Sequence, residues 1–211
     1  MNDRIHQPLM KRLVLFDLDG VLLDSHENMR QAWDVVLQET DINLPFAEYF
    51  SRIGRPFKDI MDCLGVTSDV ERIEKIYMTA SFEFLSQATF YPGVRDTLAI
   101  LNGMGVKMGV VTSKDAPRTR AVLKQLDIPF LSVQCPNQKF RGKPAPDHVL
   151  VAMAEAGEDP ADTLFVGDME TDWQTACRAN IEYVHAAWGY GHLLDNVPAI
   201  DSISELPKFI L

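Results

Sequence analysis

Five short apolar runs, rich in β-branched residues, alternate with helical patterns along the chain and predict buried strands. The runs are Leu13–Phe16, Val106–Thr112, Leu131–Val133, Thr163–Gly167 and Ile181–His185. The helical stretches between the later four are Pro117–Leu126, Pro146–Ala156 and Thr171–Ala179. Continuous apolar strands alternating with helices of this length are typical of a parallel sheet that is covered on both faces. The pattern therefore predicts an α/β fold, a doubly wound, Rossmann-like parallel sheet of about five strands.

The interval from residue 24 to residue 90 breaks this alternation, because it holds helical patterns and no apolar strand. These patterns are Glu27–Gln38, Phe57–Leu64 and Asp69–Ser86. In the last of them, apolar residues recur at helical spacing and form one stripe. We therefore predict a sheet domain made of residues 1–23 and 91–211, with a small α-helical module, residues 24–90, inserted after the first strand.

The overall charge of the chain is acidic. Its 211 residues include 20 Lys or Arg and 30 Asp or Glu, which gives a formal net charge of −10. Such a balance argues against binding to nucleic acid or to an anionic membrane, so neither is expected as a partner. By bulk charge alone it also disfavours an anionic ligand, although the local motifs reverse that expectation.

Cysteine usage and the absence of targeting signals indicate the compartment. Cys63, Cys135 and Cys177 show no C-x-x-C spacing, which predicts reduced and mostly buried thiols. The N-terminal residues have no long apolar segment, and no apolar run approaches the ~18–20 residues that would cross a bilayer. These features favour a cytoplasmic protein.

Polar side chains cluster where the predicted strands end. In a doubly wound sheet, ligands bind outside the carboxyl ends of the strands, so residues that follow different strands meet at one edge. Four segments deliver such residues: Asp17, Asp19 and Gly20; Thr112 and Ser113; Lys143; and Asp168, Glu170 and Asp172.

The acidic members of this set suit a divalent cation. Asp17 and Asp19 lie two residues apart, so continued strand geometry would place both carboxylates on the same side. Carboxylates that are this close repel each other unless a cation intervenes. With Asp168 arriving from another strand and no His or Cys nearby, the oxygen ligands point to Mg²⁺. Taken alone, the first pair is equally consistent with a solvated turn, and Glu170 with a solvated acid in the first turn of a helix.

The four segments together resemble the motifs of the haloacid dehalogenase superfamily of phosphatases. DLDGVLLDS at residues 17–25 fits the first motif, Thr112 the second, Lys143 the third and GDMETD at residues 167–172 the fourth. The resemblance extends in order over nearly the whole chain. It includes a helical cap between the first and second motifs, at the position of the inserted module.

This resemblance implies a role for each motif residue. Asp17 would attack phosphorus and form an aspartyl-phosphate, and Asp19 would act as general acid and base. Mg²⁺ would take the Asp17 carboxylate, the Asp19 backbone carbonyl and Asp168, with Asp172 supporting a metal-bound water. The phosphoryl group would be bound by Thr112, by Lys143 and by backbone amides near Gly20 and Ser113.

A turn in the predicted cap suggests a contact to the substrate. Phosphoglycolate-type phosphatases of this superfamily have a similar Gly-x-Pro turn, which reads Gly54-Arg55-Pro56 here. If this turn faces the sheet, Arg55 could bind a carboxylate or a second phosphate of the substrate. A solvated loop is the alternative.

The resemblance therefore predicts a Mg²⁺-dependent phosphatase for a small phosphorylated metabolite, most like phosphoglycolate phosphatase, acting as a monomer or homodimer. Two alternatives stay open. One is a phosphomutase of the β-phosphoglucomutase type, which shares these motifs. The other, more remote, is a phosphoacceptor switch or binding module, which would carry a long-lived phospho-Asp17 without turnover. A dehalogenase is disfavoured because Asp19 is present.

Overall fold

A parallel sheet runs through the centre of the molecule, with helices on both faces. The computed structural model describes residues 11–210. Its strands are β1 (Leu13–Phe16), β2 (Leu23–Asp24), β3 (Thr89–Phe90), β4 (Lys107–Val111), β5 (Ser132–Gln134), β6 (Thr163–Gly167), β7 (Glu182–Ala186) and β8 (Ala199–Ile200). Within the described residues, six of these form one parallel sheet in the order β5-β4-β1-β6-β7-β8.

The α-helices alternate with these strands or fill the insert. They are α1 (His26–Glu39), α2 (Phe46–Phe50), α3 (Phe57–Cys63), α4 (Val70–Glu83), α5 (Val94–Gly103), α6 (Ala116–Leu123), α7 (Asp147–Ala156), α8 (Glu170–Ala179) and α9 (Leu206–Phe209). Short 3₁₀ turns lie at Leu85–Gln87, Pro160–Asp162 and Ile203–Glu205.

Strand β1 has both of its faces buried, as the apolar run predicts. Val14 and Phe16 belong to the cluster on one side of the sheet, while Leu13 and Leu15 belong to the cluster on the other side. Successive side chains of a strand point to opposite faces, so a continuous apolar run is what a doubly covered strand requires. The predicted α/β class with a doubly wound parallel sheet is confirmed.

The sheet has six strands where the apolar runs predict about five. The additional strand, Ala199–Ile200, has only two residues and therefore leaves no apolar run to detect. The bounds Leu13–Phe16 and Thr163–Gly167 agree with the prediction, and β7 begins and ends one residue later than predicted. Helices α2 and α5 lie in stretches where no helix is predicted.

The inserted helices have a hydrophobic cluster of their own. Trp33 of α1 stacks on Tyr49 of α2 with ring centroids 4.3 Å apart, and Tyr77 of α4 packs against both rings. The chain enters and leaves the insert through the antiparallel pair β2–β3, in which Leu23 faces Phe90 and Asp24 faces Thr89. The predicted domain limits at residues 24 and 90 fall in this ribbon; the division into domains itself stays a prediction, and residues 1–10 and 211 lie outside the described residues.

The prediction of mostly buried cysteines is wrong. Cys63 and Cys177 are exposed, Cys135 is half-buried, and all three are free thiols. Cys177 lies on α8, whose buried side is formed by neighbours such as Thr175 and Ala176. No helix among the described residues is both long enough and apolar enough to span a bilayer.

Candidate active site

The predicted site residues meet at the carboxyl end of β1. The Asp17 N–H donates to the Val166 carbonyl at 2.9 Å, so the pairing of β1 with β6 continues one residue beyond the strand. Strand β1 lies in the middle of the sheet, with β4 next to it on one side and β6 next to it on the other. The connections along the chain therefore go first to one side of β1 and later to the other. A crevice opens at such a reversal of strand order, and ligands of doubly wound sheets bind there.

Three buried carboxylates share this crevice. Ligand atoms of Asp17, Asp168 and Asp172 all lie within 4.8 Å of one another. The ammonium group of Lys143 lies between two of them, with Nζ 2.9 Å from Asp17 Oδ2 and 2.7 Å from Asp172 Oδ1. Lys143 is itself buried. Three motifs that are far apart in sequence thus form one charged cluster.

The electrostatics of the cluster follow from burial. Burial raises the pKa of Asp17 to about 7, against the opposing effect of Lys143. Burial, and then the Asp172 charge, raise the pKa of Asp168 well above its ordinary value. Burial alone would lower the pKa of Lys143, but Asp17 and Asp172 together raise it, so the lysine stays charged.

The cluster fits a divalent cation. Asp168 Oδ1 is buried and has no hydrogen-bond partner within residues 11–210. Buried polar atoms normally have a partner, and an unpaired carboxylate oxygen beside two others can take an ion. The donors are carboxylate oxygens without His or Cys, the ligand chemistry of Mg²⁺. Asp17, Asp168 and Asp172 are therefore the residues that could hold it, and the Asp19 side chain lies outside this group of three.

Asp19 is held on a separate set of contacts. Its Oδ1 accepts a hydrogen bond from Ser25 Oγ at 2.6 Å and lies 3.0 Å from Lys114 Nζ. Lys114 is buried, and burial lowers the pKa of its ammonium although Asp19 partly offsets this. The two aspartates of the first motif therefore have different cationic partners, Lys143 for Asp17 and Lys114 for Asp19.

Gly20 fits closely against the fourth motif. Its φ is +87°, in the left-handed region that favours glycine. A methyl group at this position would lie 2.1 Å from Asp168 Oδ2. The residue directly after Asp19 must therefore be small for the Asp168 carboxylate to reach the cluster.

A cavity of about 70 Å³ lies between the sheet edge and the inserted helices. Asp17, Asp19, Thr112 and Ser113 line it from the sheet, and Arg55 lines it from the insert. Thr112 Oγ1 accepts a hydrogen bond from the Lys114 N–H at 3.1 Å, which leaves the hydroxyl hydrogen to donate elsewhere. The remaining walls are mostly apolar or aromatic side chains of the insert, including Met29, Tyr49, Phe57, Ile60 and Tyr77.

The turn at Gly54 joins the insert to the sheet edge. Its carbonyl accepts hydrogen bonds from Ser113 Oγ at 3.0 Å and from Thr171 Oγ1 at 3.4 Å. The φ of Gly54 is +87°, and a methyl group there would lie 2.9 Å from Thr171 Oγ1. The next residue, Arg55, is exposed and borders the cavity, so the turn faces the sheet as the substrate-contact hypothesis requires.

The two remaining acids of the fourth motif differ in their surroundings. Asp172 is buried, and besides Lys143 it accepts a hydrogen bond from the Met169 N–H at 3.0 Å, at the start of α8. A carboxylate in this position also suits the positive end of the helix dipole. Glu170 is exposed and accepts a hydrogen bond from Gln174 at 2.8 Å, which agrees with a solvated acid.

Three residues of the site were not singled out from the sequence. Lys114 lies two residues after Thr112, and Arg118 lies in the first turn of α6. Arg118 is buried, donates to Ser81 Oγ at 2.6 Å and borders the cavity. Tyr190 belongs to the loop after β7, which holds none of the motif residues. The sequence signal for Lys114 and Tyr190 is a position shortly after a strand end, which does not specify a partner.

Comparison with known proteins agrees with this geometry. Residues 14–186 match the family model described as haloacid dehalogenase-like hydrolase. A phosphoglycolate phosphatase of Pseudomonas putida is 32% identical over 200 residues, which cover 87% of this chain and 72% of the relative. One from Pseudomonas savastanoi pv. phaseolicola is 30% identical over 218 residues, covering 95% and 79%.

A solved structure shows the same fold. CbbY from Rhodobacter sphaeroides, in complex with phosphate, superposes with a TM-score of 0.81 at 18% identity, covering 93% of this chain and 96% of that one. The chain belongs to the haloacid dehalogenase-like hydrolase family. The predicted membership, the likeness to phosphoglycolate phosphatases and the hydrolase class are therefore confirmed.

Proposed function

We propose that the protein is a Mg²⁺-dependent phosphatase of small phosphomonoesters, with phosphoglycolate as the reference substrate. The observation that carries this proposal is the arrangement at the end of β1. Asp17 lies beside Lys143 in a cluster with Asp168 and Asp172. Asp19 lines the same cavity and forms an ion pair with Lys114. The phosphoglycolate phosphatases among its relatives support the choice of substrate class.

The first chemical step uses both aspartates of the first motif. An Asp17 carboxylate oxygen forms a bond to phosphorus as the bond from phosphorus to the leaving oxygen breaks. Asp19 gives its proton to that leaving oxygen, so that an alcohol departs and an aspartyl-phosphate remains. Lys143 offsets negative charge at Asp17 and at the phosphoryl group, which is the main requirement in phosphoryl transfer.

The second step returns the enzyme to its starting state. The Asp19 carboxylate takes a proton from water, whose oxygen bonds to phosphorus as the bond to Asp17 breaks. Inorganic phosphate leaves, and Asp17 is again a free carboxylate. Asp17, Asp168 and Asp172 would hold Mg²⁺, together with the Asp19 backbone carbonyl that the family resemblance implies, and the bound ion would supply positive charge that lets one anion approach another.

The remaining polar groups of the cavity would bind the transferred phosphoryl group. The Thr112 hydroxyl hydrogen is available for donation, and the backbone amides near Gly20 and Ser113 lie at the same strand ends. These roles follow the family resemblance, and the position of Thr112 and Ser113 on the wall of one cavity supports them.

The cavity favours a compact leaving group. About 70 Å³ between the sheet edge and the insert leaves little space, and apolar or aromatic side chains form most of the insert's wall. Arg55 borders this space and makes no ion pair within residues 11–210, so it can bind an anionic group on the leaving alcohol. A carboxylate, as in phosphoglycolate, satisfies both conditions.

The test is phosphate release by the purified protein with Mg²⁺. The panel would contain p-nitrophenyl phosphate, phosphoglycolate, glycerol phosphate, inorganic pyrophosphate and hexose phosphates. We expect turnover that a chelator removes and that is fastest for the smallest carboxylated ester. An inert protein would refute the proposal. Interconversion of hexose phosphates that needs a bisphosphate would instead indicate a phosphomutase. The cytoplasmic location and the monomer or homodimer stay predictions.

A further inference from the structure

Tyr190 contacts both halves of the site through different atoms. Its backbone N–H donates to Asp168 Oδ2 at 2.7 Å. Its phenol oxygen accepts a hydrogen bond from the Ser25 N–H at 2.6 Å and donates to Asp24 Oδ1 at 3.2 Å. One residue of the loop after β7 is thus bonded to the carboxylate cluster and to the entrance of the insert.

The loop backbone fits closely around Asp168. A methyl group at Gly189 would lie 2.2 Å from Asp168 Cβ, and one at Gly191 would lie 1.9 Å from the Asp168 carbonyl oxygen. Both flanking positions therefore require glycine for the loop to approach this closely. The approach brings the Tyr190 amide within hydrogen-bond distance of the carboxylate.

Ser25 carries the contact from the phenol to Asp19. Its backbone N–H is bonded to Tyr190, while its side-chain Oγ donates to Asp19 Oδ1 at 2.6 Å. Ser25 is fully buried and immediately precedes α1, where the chain passes from the ribbon β2–β3 into the helices of the insert. A buried N–H that loses its acceptor is costly, so the phenol fixes the position of this residue.

The Tyr190 ring is anchored on the insert. It packs edge to face on Phe50 of α2 with ring centroids 5.2 Å apart. Burial raises the pKa of the phenol, which therefore remains protonated and can accept from Ser25 while it donates to Asp24. The ring and the hydroxyl thus contact different residues, so a substitution can remove the hydroxyl contacts and keep those of the ring.

We propose that Tyr190 is a positioning residue for the phosphatase reaction: its hydroxyl fixes Ser25, which in turn orients the carboxylate of Asp19, while its amide orients Asp168. This inference rests on the proposed function, because it assigns Tyr190 a role through the general acid and base of that reaction. Misplacement of a reacting group by a fraction of an ångström is enough to slow catalysis.

The test is a double-mutant cycle of kcat with Tyr190→Phe and Ser25→Ala. Tyr190→Phe keeps the ring and the amide and removes only the hydroxyl. We expect kcat to fall by about 10-fold with KM changed much less, since proton transfer by a positioned group contributes about 10²–10⁴-fold. In the Ser25→Ala background the same substitution should have little further effect, because the contact to Asp19 is already lost.

Tyr183→Phe is the matched control. Tyr183 is another tyrosine whose hydroxyl is hydrogen-bonded, to His185 Nδ1 at 3.2 Å, and its ring belongs to the hydrophobic cluster of the sheet that contains Leu13 and Leu15. The Tyr183→Phe substitution should leave kcat unchanged. Thermal unfolding of every variant reports the folded fraction, to which kcat is normalised.

The outcomes separate the two proposals. If the wild-type protein with Mg²⁺ is inert on phosphomonoesters, the proposed function fails. If the wild-type protein turns over and Tyr190→Phe has the same kcat per folded molecule, the positioning role is overturned. A full additional loss in the Ser25→Ala background would also overturn it, because Tyr190 would then act independently of Ser25.

Discussion

Lys143 Nζ lies 2.9 Å from Asp17 Oδ2, and both side chains are almost completely buried. The same ammonium group contacts Asp172 at 2.7 Å. Two neighbouring carboxylates keep a buried lysine in its charged form, and the positive charge of the lysine offsets the repulsion between the carboxylates. The third motif therefore contributes to stability as well as to the proposed chemistry.

Lys143→Met should affect both properties. Removal of one partner from a buried ion pair typically costs about 3–5 kcal/mol, so urea unfolding without metal should show a marked loss of stability. Loss of a charge that stabilises the transition state should lower kcat by about 10²–10³-fold. Added Mg²⁺ should restore part of the stability but not the rate. A variant that keeps the wild-type kcat would show that Lys143 does not act on the phosphoryl group.

Lys114 can be tested in the same way through its contact to Asp19. The ammonium lies 3.0 Å from Asp19 Oδ1 and is buried. Lys114→Met should lower kcat by about 10-fold, because the proposed general acid and base loses one of its two partners. Lys124→Met, on the exposed surface beyond α6, is the matched control and should behave as the wild type. Equal rates for both variants would contradict a role for Lys114.

Arg55 should determine the preference for an anionic leaving group. Hydrogen bonds to charged groups contribute about 1.5–3 kcal/mol, so Arg55→Ala should reduce kcat/KM for phosphoglycolate by roughly 10–100-fold. For p-nitrophenyl phosphate, which has no carboxylate, the change should be small. Arg52→Ala removes an exposed arginine that does not border the cavity and serves as the control. Equal losses on the two esters would contradict this role for Arg55.

The pH dependence of stability should have a contribution from His148. This histidine is buried, and neither ring nitrogen has a hydrogen-bond partner within residues 11–210. Burial lowers its pKa, with Asp147 opposing and Lys143 reinforcing the shift. Below the unfolded-state pKa of about 6.5, the unfolded chain takes up a proton that the folded protein does not, so the free energy of unfolding falls as the solution is acidified.

His148→Leu should remove this part of the acid sensitivity. When the pH is lowered from 8 to 5.5, the free energy of unfolding should fall less for the variant than for the wild type. Denaturant unfolding at the two pH values provides the measurement. His192→Leu, at an exposed histidine, should leave the pH dependence unchanged. An identical pH dependence for His148→Leu and the wild type would show that His148 is not the source.

The apolar runs predicted the sheet well because its strands are buried on both faces. Leu13–Phe16 and Thr163–Gly167 contain little but apolar residues, and their positions follow from that alone. Ala199–Ile200 was missed because two residues at a sheet edge carry no periodic signal. The burial of the cysteines was predicted wrongly because the average burial of an amino acid does not say where in the fold a particular residue lies.

The candidate site was predicted as a set of residues rather than as a set of contacts. Strand order at one sheet edge brings Asp17, Asp168 and Asp172 together, and the family resemblance identifies Lys143 as a further member. The pairing of Asp19 with Lys114, however, depends on side-chain directions that the sequence does not encode locally.

Tyr190 illustrates the same limit more strongly. Its contacts with Ser25 and Asp168 join residues 165 and 22 positions apart in the chain. Such contacts require the folded sheet and the returning loop to be placed first. The glycines on either side of the tyrosine were the available signal, and their reason is visible only against Asp168.

The central claim, that Asp17 is the nucleophile of a phosphatase, is tested most directly by trapping the phosphorylated enzyme. The protein with Mg²⁺ would be mixed with phosphoglycolate, quenched in acid during the first turnover, and analysed by peptide mass spectrometry. We predict one phosphoryl group on the peptide that contains Asp17, formed faster than phosphate is released and lost on treatment with hydroxylamine. Asp17→Asn should give neither adduct nor turnover. Phosphate release without any adduct, or an adduct on another residue, would contradict the account.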